Sequence, residues 1–418
     1  AVQNAGRWTR RRAAIAAGII AGVLAFGFGI VLYVSRGESE GGAPMRGVTG
    51  DAVVFGTTTA YSGANEDLGR DMVLGIRTCF DAVNAAGGVG GRQLKLVVLD
   101  DGYEPEQALD NMRALFDEHQ VFGVIGNVGT PTAKVAVPYA VEHRYLFFAP
   151  FSGASFMRGN PPERYVYHFR AGYADETAAL VKYFVETREI PADRIAVFAQ
   201  NDSYGDDGFE GVTRALRRYG VRAEDVPRAN YDRNSIHVAK AVEALSSRSE
   251  PIEAVIMVAT YKPAARFVKE MQERGGDVQF AALSFVGSEA MSEEFREIGP
   301  EYADGVIVTQ VVPFFESSAT GVIRYRDALR TYHPDSRPGF VSLEGFIAAQ
   351  CLVEGLKRVE GPLSTESLID ALDSIQNLDL GIGPVVSFGP SKHQVSDHVW
   401  GTVLDSKANF RPLDLGSP

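Results

Sequence analysis

The chain has 418 residues, 45% hydrophobic and 22% charged, with 44 glycines, 20 prolines, two cysteines and a formal net charge of −12. That length exceeds what one hydrophobic core usually covers, so two lobes or domains are expected, and the composition excludes a disordered chain or a collagen-like repeat. Two cysteines far apart in sequence, Cys79 and Cys351, exclude a disulfide framework and a cysteine zinc knuckle; the plain reading is two buried thiols, with a single bridge between them left open.

Charge is unevenly spread. Residues 1–50 hold six arginines against Glu38 and Glu40, a net +4, so the remaining residues carry −16. An acidic body of this kind lacks the cations needed to neutralise a phosphate backbone, and no nucleic-acid partner is expected. Residues 1–12 form a basic tail. Residues 13–34 follow it as AAIAAGIIAGVLAFGFGIVLYV, without one charge. Those 22 residues match the roughly 20 that a helix needs to cross a bilayer. The run exceeds the roughly 7–15 apolar residues of a signal peptide, so a transmembrane anchor is favoured over a cleaved signal. The arginines put the N-terminal side in the cytoplasm and the acidic body outside, on the periplasmic face of the inner membrane, or free in the periplasm if the segment is cleaved. Residues 35–50 read as a Gly-rich tether.

From residue 51 the chain alternates short apolar runs with amphipathic stretches, the pattern of parallel sheets covered by helices. A strand at 53–56 precedes a helix near 66–85, where Leu68, Met72, Ile76, Phe80 and Val83 recur at helical spacing. A strand at 94–99 leads to a helix opened by Pro105, and strands at 121–125 and 145–148 follow with a helix between them. A second set has strands at 195–198, 254–258 and 306–308 with helices near 206–219, 236–247 and 262–274. Residues 165–170 and 306–312 read as connecting strands. Helices near 318–332, 341–358 and 364–374 precede late strands around 384–388 and 398–404. Two such α/β sets joined by several crossings predict two lobes with a ligand cleft between them.

The sets of residues that make an enzyme are missing. There is no G-x-S-x-G, no Walker loop and no H-E-x-x-H, and His393 and His398 stand five apart rather than on one helix face, so neither a catalytic residue nor a metal site is expected. Two strand exits are more informative. Residues 126–132, GNVGTPT, leave a strand and open a helix, with Asn127 and Thr130 in the turn; residues 149–155, APFSGAS, leave the next strand with Phe151, Ser152 and Gly153. Free N–H groups and the positive end of a helix suit a carboxylate there, and a parallel sheet brings both exits to one crevice. A plain capped turn is the alternative.

Together the motifs resemble the leucine/isoleucine/valine-type solute-binding proteins of ABC transporters. They are Ser62-Gly63, Gly69, Gly75, NAAGGVGGR at 84–92, Asp100-Asp101, VIG at 124–126 with Thr130, Pro150 with Ser152, and NDSYG at 201–205. The likeness covers roughly residues 51–405. It implies a type I periplasmic binding fold, in which two doubly wound α/β lobes joined by a hinge close on a ligand. The expected lobes are 51–170 with 312–383, and 171–311 with 384–410.

The resemblance also assigns a ligand site. Thr130, Phe151, Ser152 and Gly153, with Asn127 beside them, fall where the family holds the ligand's polar end. Leu68 matches the apolar contact, and Tyr204 and Tyr261 match the tyrosines that close from the second lobe. Tyr173, in AGYADET, is placed to face the cleft. Where amino-acid binders put an acid for the ligand's ammonium, this chain reads FAALS, ending at Ser284. Either Asp175, Glu176 or Asp202 substitutes, or the ligand is not a zwitterionic amino acid. The implied function is capture of a small organic ligand (an amino acid, amide or organic acid) and its delivery to ABC transporter permease subunits, without a cofactor; a sensory ectodomain acting through a partner protein is the alternative.

Overall fold

A computed structural model describes residues 45–416 of the chain. Its first sheet is β1 (Ala52–Thr59), β2 (Gln93–Asp100), β3 (Gly123–Ile125), β4 (Leu146–Phe148) and β5 (Val166–Tyr167), ordered 2-1-3-4-5 and parallel throughout. Seven of the eight β1 residues are buried, as a parallel strand covered on both faces requires. Helices α1 (Glu66–Ala85), α2 (Pro105–Asp117) and α3 (Thr130–Glu142) connect these strands.

The chain then passes through α4 (Tyr173–Lys182) into a second sheet: β6 (Ile195–Gln200), β7 (Arg228–Tyr231), β8 (Ala254–Val258), β9 (Gln279–Ala282), β10 (Ile307–Gln310), β11 (Trp400–Leu404) and β12 (Phe410–Leu413), in the order 12-11-10-9-8-6-7. Only β11 is reversed, running antiparallel to both of its neighbours, β10 and β12. Its helices are α5 (Ser203–Leu216), α6 (Ala239–Ser246), α7 (Tyr261–Glu273) and α8 (Ser288–Ile298). Three more, α9 (Thr320–Tyr332), α10 (Phe340–Arg358) and α11 (Thr365–Asp373), follow β10, and α10 packs closely on α1. Two lobes therefore form, and the chain crosses between them at β5–α4, after β10 and before β11. The first and last crossings pair with each other, His168 N–H donating to His393 O at 2.7 Å and Val395 N–H to His168 O at 3.1 Å.

Several elements differ from the sequence expectation. Strands β7, β9 and β12 were not anticipated; RANY and QFAA have no β-branched residue, and Pro412 in β12 sits in an edge strand, where a missing N–H is tolerated. Helices α4 and α8 were also missed. Residues 384–388 form no strand: Val386 makes one isolated bridge, to Leu378. Cys79 and Cys351 are buried and unbonded.

The membrane anchor is corrected. Residues 13–34 lie outside the described residues, and among the described residues no helix is long and apolar enough to cross a membrane. The two longest fail on charge. Helix α1 carries Glu66, Asp67, Arg70, Asp71, Arg77 and Asp81, and α10 carries Glu344, Glu354, Lys357 and Arg358. Each such group costs a few kcal/mol at a bilayer centre. Among the described residues, then, neither the fold, nor a membrane partnership, nor a place at the membrane rests on an anchoring helix.

Candidate functional site

Parallel strands end at one edge of each sheet, and the two edges face each other. In the first lobe, Gly126 (φ +71°) and Gly129 (φ +110°) shape the exit of β3. A Cβ on Gly129 would lie 2.4 Å from Tyr103 Cε2, so only glycine lets that ring lie on the turn. The exit of β4 is stitched beside it, Phe151 N–H donating to Asn127 O at 2.8 Å and Gly129 N–H to Phe151 O at 3.2 Å. This brings Thr130 Oγ1 within 2.8 Å of Ser152 Oγ and 3.2 Å of the Tyr173 hydroxyl. All three side chains are buried. Gly153 makes room for Tyr173, whose Cδ1 would lie 2.5 Å from a Cβ there.

The second lobe supplies a ring cluster. Tyr204, in the first turn of α5, is oriented by Asp202, which accepts from Tyr204 N–H at 3.0 Å. Its ring lies 5.2 Å from Tyr173 and 4.7 Å from Phe285, centroid to centroid. Phe285 also meets Phe151 at 5.2 Å, Tyr103 at 6.2 Å and Tyr173 at 6.3 Å. Tyr261 and Leu68 meet elsewhere, at Gly287 (φ +83°), where a Cβ would lie 2.4 Å from Leu68 Cδ2 and 3.4 Å from Tyr261 Cδ1. The hydroxyls of Tyr204 and Tyr261 are buried without a hydrogen-bond partner. Burial pushes the Tyr103 and Tyr204 phenols well up and the Tyr173 phenol to about 12, so all three are neutral donors at physiological pH.

Beneath the rings lies a buried ionic cluster. Arg170 is fully buried, its guanidinium 4.6 Å from the Phe151 centroid. It donates to Ser284 Oγ and stands 3.7 Å from both Glu176 and Glu344, while its Nε and Nη1 make no hydrogen bond. Glu176 Oε2 accepts from Ser284 N–H at 2.8 Å and from Thr309 Oγ1 at 2.5 Å. Burial raises the Glu344 carboxyl to about 7 even though Arg170 pulls it down. Nearby, Arg158 donates to Arg170 O at 3.1 Å and meets His168 Nδ1 at 3.1 Å; burial lowers its guanidinium to about 10.

Of the residues singled out from sequence, Thr130, Phe151, Ser152, Gly153, Tyr173 and Tyr204 come together around Phe285. Leu68 and Tyr261 form a second contact at Gly287. Ser284 joins the ionic cluster, and Asn127 turns away, its Nδ2 directed at Met112 Sδ at 3.7 Å. Tyr103, Arg170, Phe285 and Glu344 were not foreseen. The exit of β2, beside the noted Asp100-Asp101, could have pointed to Tyr103; the other three carry no local signal.

Comparison with known proteins accords with this geometry. The model of a family described as periplasmic binding protein matches residues 52–409. A crystal structure of a possible leucine/isoleucine/valine-binding protein from Rhodopirellula baltica SH 1 is similar at a TM-score of 0.83 with 39% identity, covering 90% of this chain and 99% of that one. A substrate-binding periplasmic protein from Ralstonia solanacearum is similar at 0.78 with 26% identity, over 86% of this chain and 99% of its own. Among curated sequences, an amino acid binding protein of Pseudomonas aeruginosa PAO1 is 28% identical over 264 residues, 62% of this chain and 66% of that protein's length.

Proposed function

Because the chain belongs to the periplasmic binding protein family, and is thus an extracytoplasmic solute-binding protein and not an enzyme, we propose that its two lobes close on a small organic acid or amide rather than on a zwitterionic amino acid. The proposed lobes are 51–170 with 312–383, and 171–311 with 384–410. Phe388 and His393, packed on Tyr167 of β5, favour a last crossing beyond residue 393. Leu68, Thr130, Phe151, Ser152, Gly153, Tyr173, Tyr204, Tyr261 and Ser284 line the cleft in this reading, and the closed form is handed to ABC transporter permease subunits.

The observation that carries the choice of ligand is that Asp175, Glu176 and Asp202, the three carboxylates named from the sequence as substitutes for the missing acid, already hold partners within the protein. Asp175 accepts from Gly172 N–H at 2.9 Å, and Glu176 accepts from Ser284 and Thr309 through Oε2 while its Oε1, without a hydrogen bond, faces the Arg170 guanidinium at 3.7 Å. Asp202 takes Tyr204 N–H, Gln200 Nε2 at 2.8 Å and Arg233 at 3.3 Å. A buried ammonium with no free anion costs several kcal/mol, enough to abolish useful affinity.

Thermal unfolding against a panel of amino acids, amides and organic acids tests this. A ligand at about 100 times its Kd adds roughly 2.7 kcal/mol to stability, a clear rise in Tm. Acids or amides should raise Tm most; a larger rise with leucine, isoleucine or valine would overturn the reading.

A further inference from the structure

The site contains a ring of its own. Phe285 is fully buried, and Tyr103, Phe151, Tyr173 and Tyr204 surround it at 4.7–6.3 Å, from both lobes. These separations lie in the range where aromatic pairs attract beyond their buried area. Phe285 fills the space that these four rings bound, so a group taking its place would meet the same four rings and would have to be flat. Phe285 sits on a three-residue turn, Ser284–Val286, that ends at Gly287 in the left-handed region, so no regular helix or strand holds it in place.

Beside the slot are donors with nothing to donate to. Ser284, the neighbour of Phe285, accepts from Arg170, whose guanidinium also covers the face of Phe151. Arg170 Nε and Nη1 are buried without a hydrogen-bond partner, and so is Arg158 Nε. Arg170 faces Glu176 Oε1 and Glu344 at 3.7 Å, beyond hydrogen-bond distance, and Glu176 Oε1 has no hydrogen-bond partner either. Two guanidiniums thus stand against two carboxylates, which leaves no net negative charge for a cation and leaves N–H groups for an acceptor. Leaving buried N–H groups unpaired is costly, and a carboxylate relieves it with charge-assisted bonds. The hydroxyls of Thr130, Ser152 and Tyr173 already satisfy one another.

We propose that the ligand is an arene carboxylate: its ring enters the slot as Phe285 swings aside on its turn, and its carboxylate takes up the free N–H groups of Arg170. This rests on the solute-binding reading and narrows its ligand class. Calorimetric titration of the purified full chain with benzoate, cyclohexanecarboxylate, benzamide and L-leucine tests it. Benzoate should bind at least tenfold more tightly than cyclohexanecarboxylate, which keeps the charge and loses the planarity. It should exceed benzamide, which keeps the ring and loses the charge, by the same margin. Equal affinity for any of these pairs would overturn the proposal, as would binding of leucine without benzoate, which would leave the solute-binding reading intact. Binding of nothing in this set or in the wider panel would sink both. The variant Phe285→Ala, checked for folding by circular dichroism, should bind 2-naphthoate at least fivefold more tightly than the parent protein does. An unchanged affinity would remove Phe285 from the mechanism.

Discussion

Asp71 of α1 and Glu289 of α8 illustrate what the acidic composition does at single positions. Both line a cavity of about 750 Å³ between the lobes, together with Asp67, Glu293, Glu316, Asp335, Arg296 and Arg337. Burial, then the Glu289, Asp67 and Glu293 charges, push the Asp71 carboxyl up to about 8. Burial pushes Glu289 to about 7 although it accepts from Phe340 N–H at 2.8 Å. A carboxyl whose value is raised on folding keeps a proton that the unfolded chain has released, so stability falls as pH rises from the ordinary carboxylate range, about 4, through 8. Other groups act elsewhere or oppositely. Asp405, held near 2 chiefly by Asn409 N–H, costs stability only in strong acid, and His168, lowered by burial, costs stability as pH falls below the ordinary histidine value. The readout is therefore the difference between Asp71→Asn and the parent. Melting temperature of the parent should drop between pH 5 and 8, and the variant should be flatter; parallel curves would show that Asp71 is not strained by its surroundings.

At the scale of elements, the legible part of the fold was the part with long periodic signals. The stripe from Leu68 to Phe80 predicted α1 because an amphipathic helix must repeat its apolar face, and the run at 254–258 predicted a strand because both faces of a parallel sheet are buried; the run at 94–99 forms the edge strand β2, in which only Leu94 is buried. Four-residue strands such as QFAA offer no period to read. The site divided in the same way. Thr130 and Ser152 were visible because strand exits carry turn chemistry, whereas Arg170, Glu344 and Phe285 lie far apart in sequence and meet only in the folded chain. Close packing of α1 on α10 is another feature beyond one-dimensional reach, although its glycines are in plain view. A Cβ on Gly75 would lie 1.9 Å from Ser342 O, and one on Gly345 would lie 2.5 Å from Met72 O. Gly75→Ala must therefore push two backbones apart, and a loss of about 1–3 kcal/mol in urea unfolding is expected. Gly50→Ala, where nothing lies within 4 Å, is the control. Equal stability of the two variants would mean that the helices are not held at this distance.

For the whole molecule the governing equilibrium is closure of one lobe on the other, and much of what holds the mouth shut passes through one side chain. Asn234, on the loop between β7 and α6, accepts from Asn65 Nδ2 at 2.7 Å, and its Nδ2 donates to Gly102 O at 3.1 Å and to Glu104 Oε1 at 2.7 Å. Its neighbour Arg233 reaches Glu104 at 2.7 Å, and across the cleft Ser155 N–H donates to Asp207 at 3.0 Å. Hydrogen bonds of this partly exposed kind contribute about 0.5–1.5 kcal/mol each at most, and the Arg233–Glu104 pair, being half in solvent, contributes at the low end. Asn234 also has φ +58°, a conformation that asparagine tolerates better than most residues. Asn234→Gly is therefore the informative change, since glycine keeps the backbone and removes only the three bonds across the mouth. Those bonds cross from one lobe to the other and must break when the lobes part, so their loss shifts the population toward the open form without touching a residue that lines the ligand slot. At the low end of that range the three bonds total about 1.5 kcal/mol, roughly a tenfold change in equilibrium, so ligand affinity should fall at least about fivefold, chiefly through faster release in stopped-flow measurements. Small-angle scattering of the variant without ligand should show a larger radius of gyration, while urea unfolding of the lobes stays close to that of the parent. Release at the parent rate would mean that closure is driven by the aromatic slot alone and that the ties at the mouth are incidental.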